Sequence, residues 1–132
     1  MGSIALDQGA SGRVEYERET GGIVKVRFVG DIDIDLLHQS SDKIAEEVKA
    51  GRRRIMVCVA EANPLFTPIE VVDEFHRVFA GPVRGTKFAY VSPENLFGKH
   101  FMLIEAAAFN AGINVAFKTS EDAARDWLKS DS

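Results

Sequence analysis

The order of apolar segments along the chain predicts a single α/β domain with a five-stranded mixed sheet and four helices. Two observations carry this prediction. Two short segments on either side of Gly21-Gly22 alternate apolar and polar residues, which indicates an antiparallel hairpin of half-exposed strands. The chain then alternates apolar runs of strand length with amphipathic runs of helix length. That alternation is typical of parallel strands joined by right-handed helical crossovers.

Composition excludes several classes of protein. The chain has 132 residues, of which 45% are hydrophobic and 27% charged, as in an ordinary globular domain. Its net charge of −4 argues against a nucleic-acid partner. The single cysteine, Cys58, lies in an apolar run, excludes an intramolecular disulfide and favours a cytoplasmic location. Because no apolar run reaches the length of a transmembrane helix, we expect no stable membrane insertion.

The apolar pattern places each element in turn. Residues 1–12 are rich in Gly, Ser and Ala and are predicted to form a flexible tail, and residues 13–130 the single domain. The predicted strands cover residues 14–17, 23–29, 55–60, 87–91 and 114–117. The predicted helices run from Asp35 to a glycine cap at Gly51, from Thr67 to a stop at Gly81-Pro82, from Asn95 to Asn110, and from a cap at Thr119 or Ser120 through Trp127.

The segment around Thr67 is the main candidate for a functional site. The strand at 55–60 is apolar throughout and delivers the chain to a helix start at Thr67-Pro68-Ile69-Glu70. In open α/β sheets, ligands bind at this carboxyl edge of the strands. Thr67 and Glu70 have the spacing of a capping box, which stabilises a helix by about 1 kcal/mol. The alternative is that Thr67 accepts a phosphate, which the helix dipole would stabilise.

Other titratable clusters suggest no catalytic or metal chemistry. Asp31, Asp33 and Asp35 resemble the start of a calcium loop, but the glycine and the final glutamate of that motif are missing. Glu70 and Glu74 share one helix face and are predicted to be surface charges. No nucleophile–base pair, glycine-rich phosphate loop or two-histidine metal spacing is present, so we predict a non-enzymatic protein without cofactor or metal.

Three stretches give the chain a resemblance to a known family. Gly30-Asp31-Ile32-Asp33, the apolar strand before Thr67, and the ending from Gly112 to Leu128 together resemble the STAS domain of the SpoIIAA-like, anti-sigma-factor-antagonist family. The resemblance covers about residues 13–129 and implies a regulatory module, with Thr67 where the family carries its phosphorylated serine. The Asp, second hydroxyl and Gly that surround that serine are absent here.

The sequence therefore predicts a regulatory or protein-interaction module that binds a protein partner at the strand-to-helix edge. The residues expected to form this site are Asp31, Asp33, Asn63, Thr67 and Ser92, with Thr67 the candidate phosphorylation site. The alternative is a binder of a small apolar or lipid-like ligand between the helix bearing Phe97–Phe109 and the sheet. The same helix carries more apolar residues than one buried stripe needs, which predicts a homodimer through its apolar surface.

Overall fold

The computed structural model describes residues 3–8, 11–78, 85–92 and 101–130, and side chains within these ranges except at 3–8, 101 and 102. The strands are β1 (Ser3–Gln8), β2 (Gly12–Glu19), β3 (Ile23–Ile32), β4 (Arg54–Pro64), β5 (Thr86–Val91) and β6 (Ile113–Lys118). The helices are α1 (Ile34–Lys49), α2 (Pro68–Val78), α3 (Phe101–Asn110) and α4 (Glu121–Lys129).

The predicted α/β fold, with a mixed sheet and four helices, is confirmed. The strands lie side by side in chain order, with β2 antiparallel to β3 and the pairs from β3 to β6 parallel. One strand is added to the five predicted. Ser3–Gln8, assigned by the sequence to a flexible tail, pairs antiparallel with β2 as an edge strand. Backbone pairing to an existing strand edge needs no strong side-chain pattern, which is why the composition did not reveal it.

Helices α1, α2 and α3 lie on one face of the sheet because their crossovers are made in the same direction. A right-handed crossover fixes the face on which its helix packs, and here each crossover steps to the next strand along. The core on this face joins buried residues of the three helices to those of β2 to β6. Helix α4 follows the last strand and packs on the opposite face, against a smaller core that includes Met56 and Cys58.

Helix α4 is attached by both charged and apolar contacts. Lys87 of β5 is buried, and its Nζ donates to the carbonyl oxygens of Trp127 and Ser130 at distances of 2.7 and 2.9 Å. The same ammonium lies 4.5 Å from the centroid of the Trp127 ring. Lys87 therefore adds a charged donor at the C-terminal end of α4, where the Trp127 carbonyl also accepts from the amide and the hydroxyl of Ser130.

A bulge in β4 lengthens that strand beyond its predicted end at Ala60. Arg27 pairs with Cys58 but Val29 pairs with Glu61, so β4 has two residues opposite one of β3. The extra residue shifts the alternation of side chains by one position. Glu61 consequently meets Arg27 at 2.6 Å, and Ala62 turns toward the helical face. The stretch expected to be a polar connector thus continues in the sheet to Pro64.

The glycine at the end of β3 is required by its backbone and by its neighbour. Gly30 has φ of 78°, a left-handed conformation that L residues rarely adopt. A Cβ built there would also lie 2.6 Å from the carbonyl oxygen of Ser11. The chain then turns to Asp33, whose carboxylate caps α1 by accepting from the Leu36 amide at 2.8 Å.

Two predicted features lie outside the described residues. They are the Gly81-Pro82 stop after α2 and the first part of the predicted Asn95–Asn110 helix, which includes Phe97. Within α3, Ile104 and Ala108 are buried as predicted, while Leu103 and Phe109 are exposed by 46% and 76%. The excess apolar surface expected for this helix is therefore present at these two residues.

Candidate functional site

A cavity of about 300 Å³ lies between α1, α2 and the helical face of the sheet. Phe28, Val57 and Phe88 form its floor on three adjacent strands, and Ile104 reaches it from α3. Its walls are mainly apolar because the facing sides of α1 and α2 carry core residues. The remaining wall residues on the two helices are Leu37, Ser40, Ser41, Ile44, Val71, Glu74, Phe75 and Val78.

The segment joining β4 to α2 lines the cavity where that strand meets the helix start. Pro64 and Thr67 are exposed there, and Phe66 and Pro68 are half-buried. Thr67 forms the predicted capping box: its Oγ1 accepts from the Glu70 amide at 3.2 Å, and its own amide donates to Glu70 Oε1 at 2.8 Å. The cap and the cavity therefore share one segment, at the carboxyl edge of the parallel strands.

Glu74 forms a polar link between α1 and α2 at the cavity wall. Its carboxylate accepts from Arg77 Nε at 2.8 Å and from Arg77 Nη2 at 2.9 Å, a two-point pairing. His38 Nδ1 on α1 lies 2.8 Å from Glu74 Oε2. Arg77 also donates to Asp42 Oδ1 on α1 at 3.0 Å. These contacts hold the two helices at a fixed separation beside the cavity.

The charge state of Glu74 follows from these partners. Burial by itself would raise its pKa, but hydrogen bonds from Arg77 and His38 outweigh burial and lower the pKa to about 2. Glu74 is therefore ionised at neutral pH. This corrects the prediction of a surface charge, since Glu74 is 5% exposed. Val71, Glu74, Phe75 and Val78 are at i, i+3, i+4 and i+7, so Glu74 shares the buried face.

The structure brings together some of the predicted site residues. Asp31 accepts from Asn63 Nδ2 at 2.8 Å and from Ser11 Oγ at 3.0 Å, and hydrogen bonds from these two side chains lower the pKa of Asp31. Thr67 lies on the cavity lining, and Asp33 is occupied in capping α1. Ser92 follows β5, and its amide donates to the carbonyl of Lys118 at 3.0 Å.

Several cavity residues were not singled out from the sequence. Ser40, Ala62 and Tyr90 come from three separate elements and meet only after folding. Tyr90 stacks on Phe117 with centroids 5.4 Å apart, and burial raises the pKa of its hydroxyl. The sequence feature that could have pointed to the cavity is the presence of two polar residues, Ser40 and Glu74, on otherwise apolar helix faces. Such residues mark a polar feature inside the core.

The described ranges contain no group of three or more His, Cys, Asp and Glu side chains arranged to hold a metal ion. They also contain no helix that is both long and apolar enough to cross a membrane. No family model, curated protein or solved structure matches this chain. The resemblance to the STAS domain therefore stays a prediction.

Proposed function

We propose that this protein is a non-enzymatic binder of a small, mainly apolar ligand, and the cavity between α1, α2 and the sheet is the observation that carries this proposal. Its volume of about 300 Å³ falls at the lower end of ligand pockets, which span roughly 300–1,000 Å³. Mostly apolar walls with a few convergent polar groups are the usual character of such sites. Most of its described lining comes from α1, α2 and the sheet, with Ile104 from α3.

The chemistry of the lining supports binding rather than catalysis. Glu74, the one charged residue among the described lining groups, is paired with Arg77 and His38. A carboxylate held in this way does not serve as a general base near neutral pH, because its pKa lies far below that range. A cytoplasmic location belongs to the proposal and is supported by Cys58, the one cysteine of the sequence, which is a buried free thiol.

Filling the cavity tests the proposal. Ala62→Phe places a large side chain into the lining, whereas Ala50→Phe adds the same ring at an exposed position beyond α1. N-phenyl-1-naphthylamine, an uncharged apolar fluorophore, should bind the wild type and Ala50→Phe and should bind Ala62→Phe at least tenfold more weakly. Circular dichroism verifies that each variant is folded. Equal binding by the wild type and a folded Ala62→Phe would overturn the proposal.

A regulatory module that binds a protein partner is the second candidate, favoured by exposed apolar residues around Thr67. Leu65 and Ile69 are exposed by 58% and 60% and lie two residues before and two residues after Thr67. Asp31 and Asn63 lie on adjacent strand ends at the same edge of the sheet. The proposed partner surface consists of Asp31, Asp33, Asn63, Leu65, Thr67, Ile69 and Ser92, with Thr67 as the candidate phosphorylation site.

Substitution at Thr67 separates this second role from helix capping. Thr67→Ala removes the cap oxygen and should cost about 1 kcal/mol of stability without altering partner binding. Thr67→Glu adds a negative charge and should weaken capture of a partner from the source cells at least fivefold. Leu65→Ser should weaken capture to a similar degree. Equal capture by the three variants and the wild type, at matched folded fractions, would exclude this surface as the binding site.

A homodimer through α3 is also part of the proposed assembly. Phe109 and Leu103 are the exposed large hydrophobic residues of the described part of this helix. Phe109 lies beside a groove that Val115 and Trp127 also line. Removal of such surface from water favours association at about 25 cal/mol per Å² of apolar area, before association costs are subtracted.

A further inference from the structure

Two serine hydroxyls on α1, those of Ser40 and Ser41, line the cavity and donate their protons to the protein backbone. Ser40 is 1% exposed, and its Oγ donates to the carbonyl of Leu37 at 2.8 Å. Ser41 Oγ donates to the same carbonyl at 2.9 Å. A hydroxyl has one proton and two acceptor sites. Each of these serines can therefore accept a hydrogen bond from a ligand but has no proton left to donate.

Glu74 adds acceptor capacity and negative charge to the same side of the cavity. An ionised carboxylate accepts hydrogen bonds and donates none. Its partner Arg77 does not line the cavity, and the guanidinium points to Glu74, Asp42 and the carbonyl of His38. None of the described residues that line the cavity is Lys, Arg or His. On this side of the cavity a ligand thus faces the acceptor oxygens of Ser40 and Ser41 and the Glu74 carboxylate, and no described lining residue supplies a cation.

We infer that the cavity selects amphiphiles whose head group donates a hydrogen bond to Ser40 and Ser41, and that it rejects carboxylates of the same length. A hydroxyl or a primary amide supplies the donor that these serines lack. A carboxylate would bring a second negative charge next to Glu74 and would lose its water shell without gaining a cation, which is unfavourable. This inference rests on the proposed ligand-binding function and names its ligand class.

A matched set of ten-carbon compounds tests the head-group preference. Displacement of N-phenyl-1-naphthylamine from the full chain at neutral pH is measured with 1-decanol, decanamide, decyl methyl ether and decanoate. Decanol and decanamide should bind at least tenfold more tightly than decanoate. Decyl methyl ether keeps the oxygen but has no O–H, so it should bind at least threefold more weakly than decanol. Decanoate binding as tightly as decanol would overturn the inference.

Variants of the acceptor groups identify the residues responsible. Ser40→Ala removes an acceptor and should reduce the advantage of decanol over decyl methyl ether at least threefold, whereas Gln39→Ala alters an exposed neighbour and should not. Glu74→Gln removes the charge at constant size and should reduce the ratio of decanol affinity to decanoate affinity. Unchanged ratios in Ser40→Ala would contradict the assignment even if Glu74→Gln fails to fold.

The outcomes also separate this inference from the function on which it rests. If the fluorophore does not bind, or binds the folded Ala62→Phe variant as well as the wild type, the ligand-binding function itself fails. If the fluorophore binds in the cavity but the ten-carbon compounds show no head-group preference, the function stands and only the selectivity is wrong. Binding in the cavity with the expected order supports both.

Discussion

Glu74 is the residue at which stability, charge and the cavity meet. Its side chain is 7% exposed and bridges α2 to α1 through Arg77 and His38. Since its pKa in the folded protein is about 2, against 4.5 as the reference value, the folded state favours the ionised form. The resulting stabilisation is present above the reference pKa and is lost as the pH falls through the folded pKa.

This charge gives a testable dependence on pH. The free energy of unfolding of the wild type should exceed that of Glu74→Gln most at neutral pH, by up to about 3 kcal/mol. The excess should decrease as the pH falls from about 5 toward about 2, since Glu74 binds a proton more readily in the unfolded chain. Urea unfolding at a series of pH values measures it. Glu46→Gln, on the exposed side of α1, is the control. A difference in unfolding free energy between the wild type and Glu74→Gln that stays constant with pH would contradict a stabilising role for the Glu74 charge.

At the scale of elements, α4 is held to the sheet by contacts that the periodicity of its sequence does not reveal. Lys25 Nζ lies 2.7 Å from Glu121 Oε1, and Arg125 Nε lies 2.9 Å from Glu19 Oε1. Lys87 donates to the carbonyl oxygens at its end. The two ion pairs are partly exposed, so each contributes little, whereas the hydrogen bonds of the buried ammonium contribute more.

Lys87→Met should therefore loosen α4 more than any change in its outer ion pairs. The substitution keeps the length of the side chain but removes the ammonium that donates to the carbonyls of Trp127 and Ser130. Amide hydrogen exchange within α4 should accelerate roughly tenfold or more, because hydrogen bonds from a charged group contribute about 1.5–3 kcal/mol. Lys49→Met, at an exposed position on α1, should leave it unchanged. Exchange at the wild-type rate in Lys87→Met would show that apolar contacts alone are enough to hold α4 on the sheet.

At the scale of the whole molecule, the exposed part of α3 determines the expected assembly. Phe109 is 76% exposed, far more than the core residue Ile104 on the same helix. Sedimentation equilibrium should show a dimer for the wild type and a shift toward monomer for Phe109→Ser. Asn110→Ser, the exposed neighbouring position, should remain dimeric. A wild-type protein that is monomeric at every concentration tested would exclude this interface.

How much of the fold was predictable varied with the range of the interactions. Turns and caps depend on a few adjacent residues, and the predicted glycine end of α1 and the predicted Thr67–Glu70 capping box are both present. The bulge in β4 and the strand Ser3–Gln8 depend on a partner strand. Neither feature leaves a pattern in the local sequence. The predicted end of β4 at Ala60 therefore comes before the observed end at Pro64, and Ser3–Gln8 is predicted as part of a flexible tail.

The candidate site shows the same difference between local and long-range interactions. The α/β order, the burial of the first half of β4 and a helix start at its carboxyl edge follow from the amino-acid sequence alone, because periodicity and capping are local properties. Only the tertiary structure decided that a cavity lies behind that edge and that Glu74 lies in its wall. The reason is physical. A cavity is the space left where side chains from α1, α2, α3 and three strands fail to meet, and no single segment encodes that space.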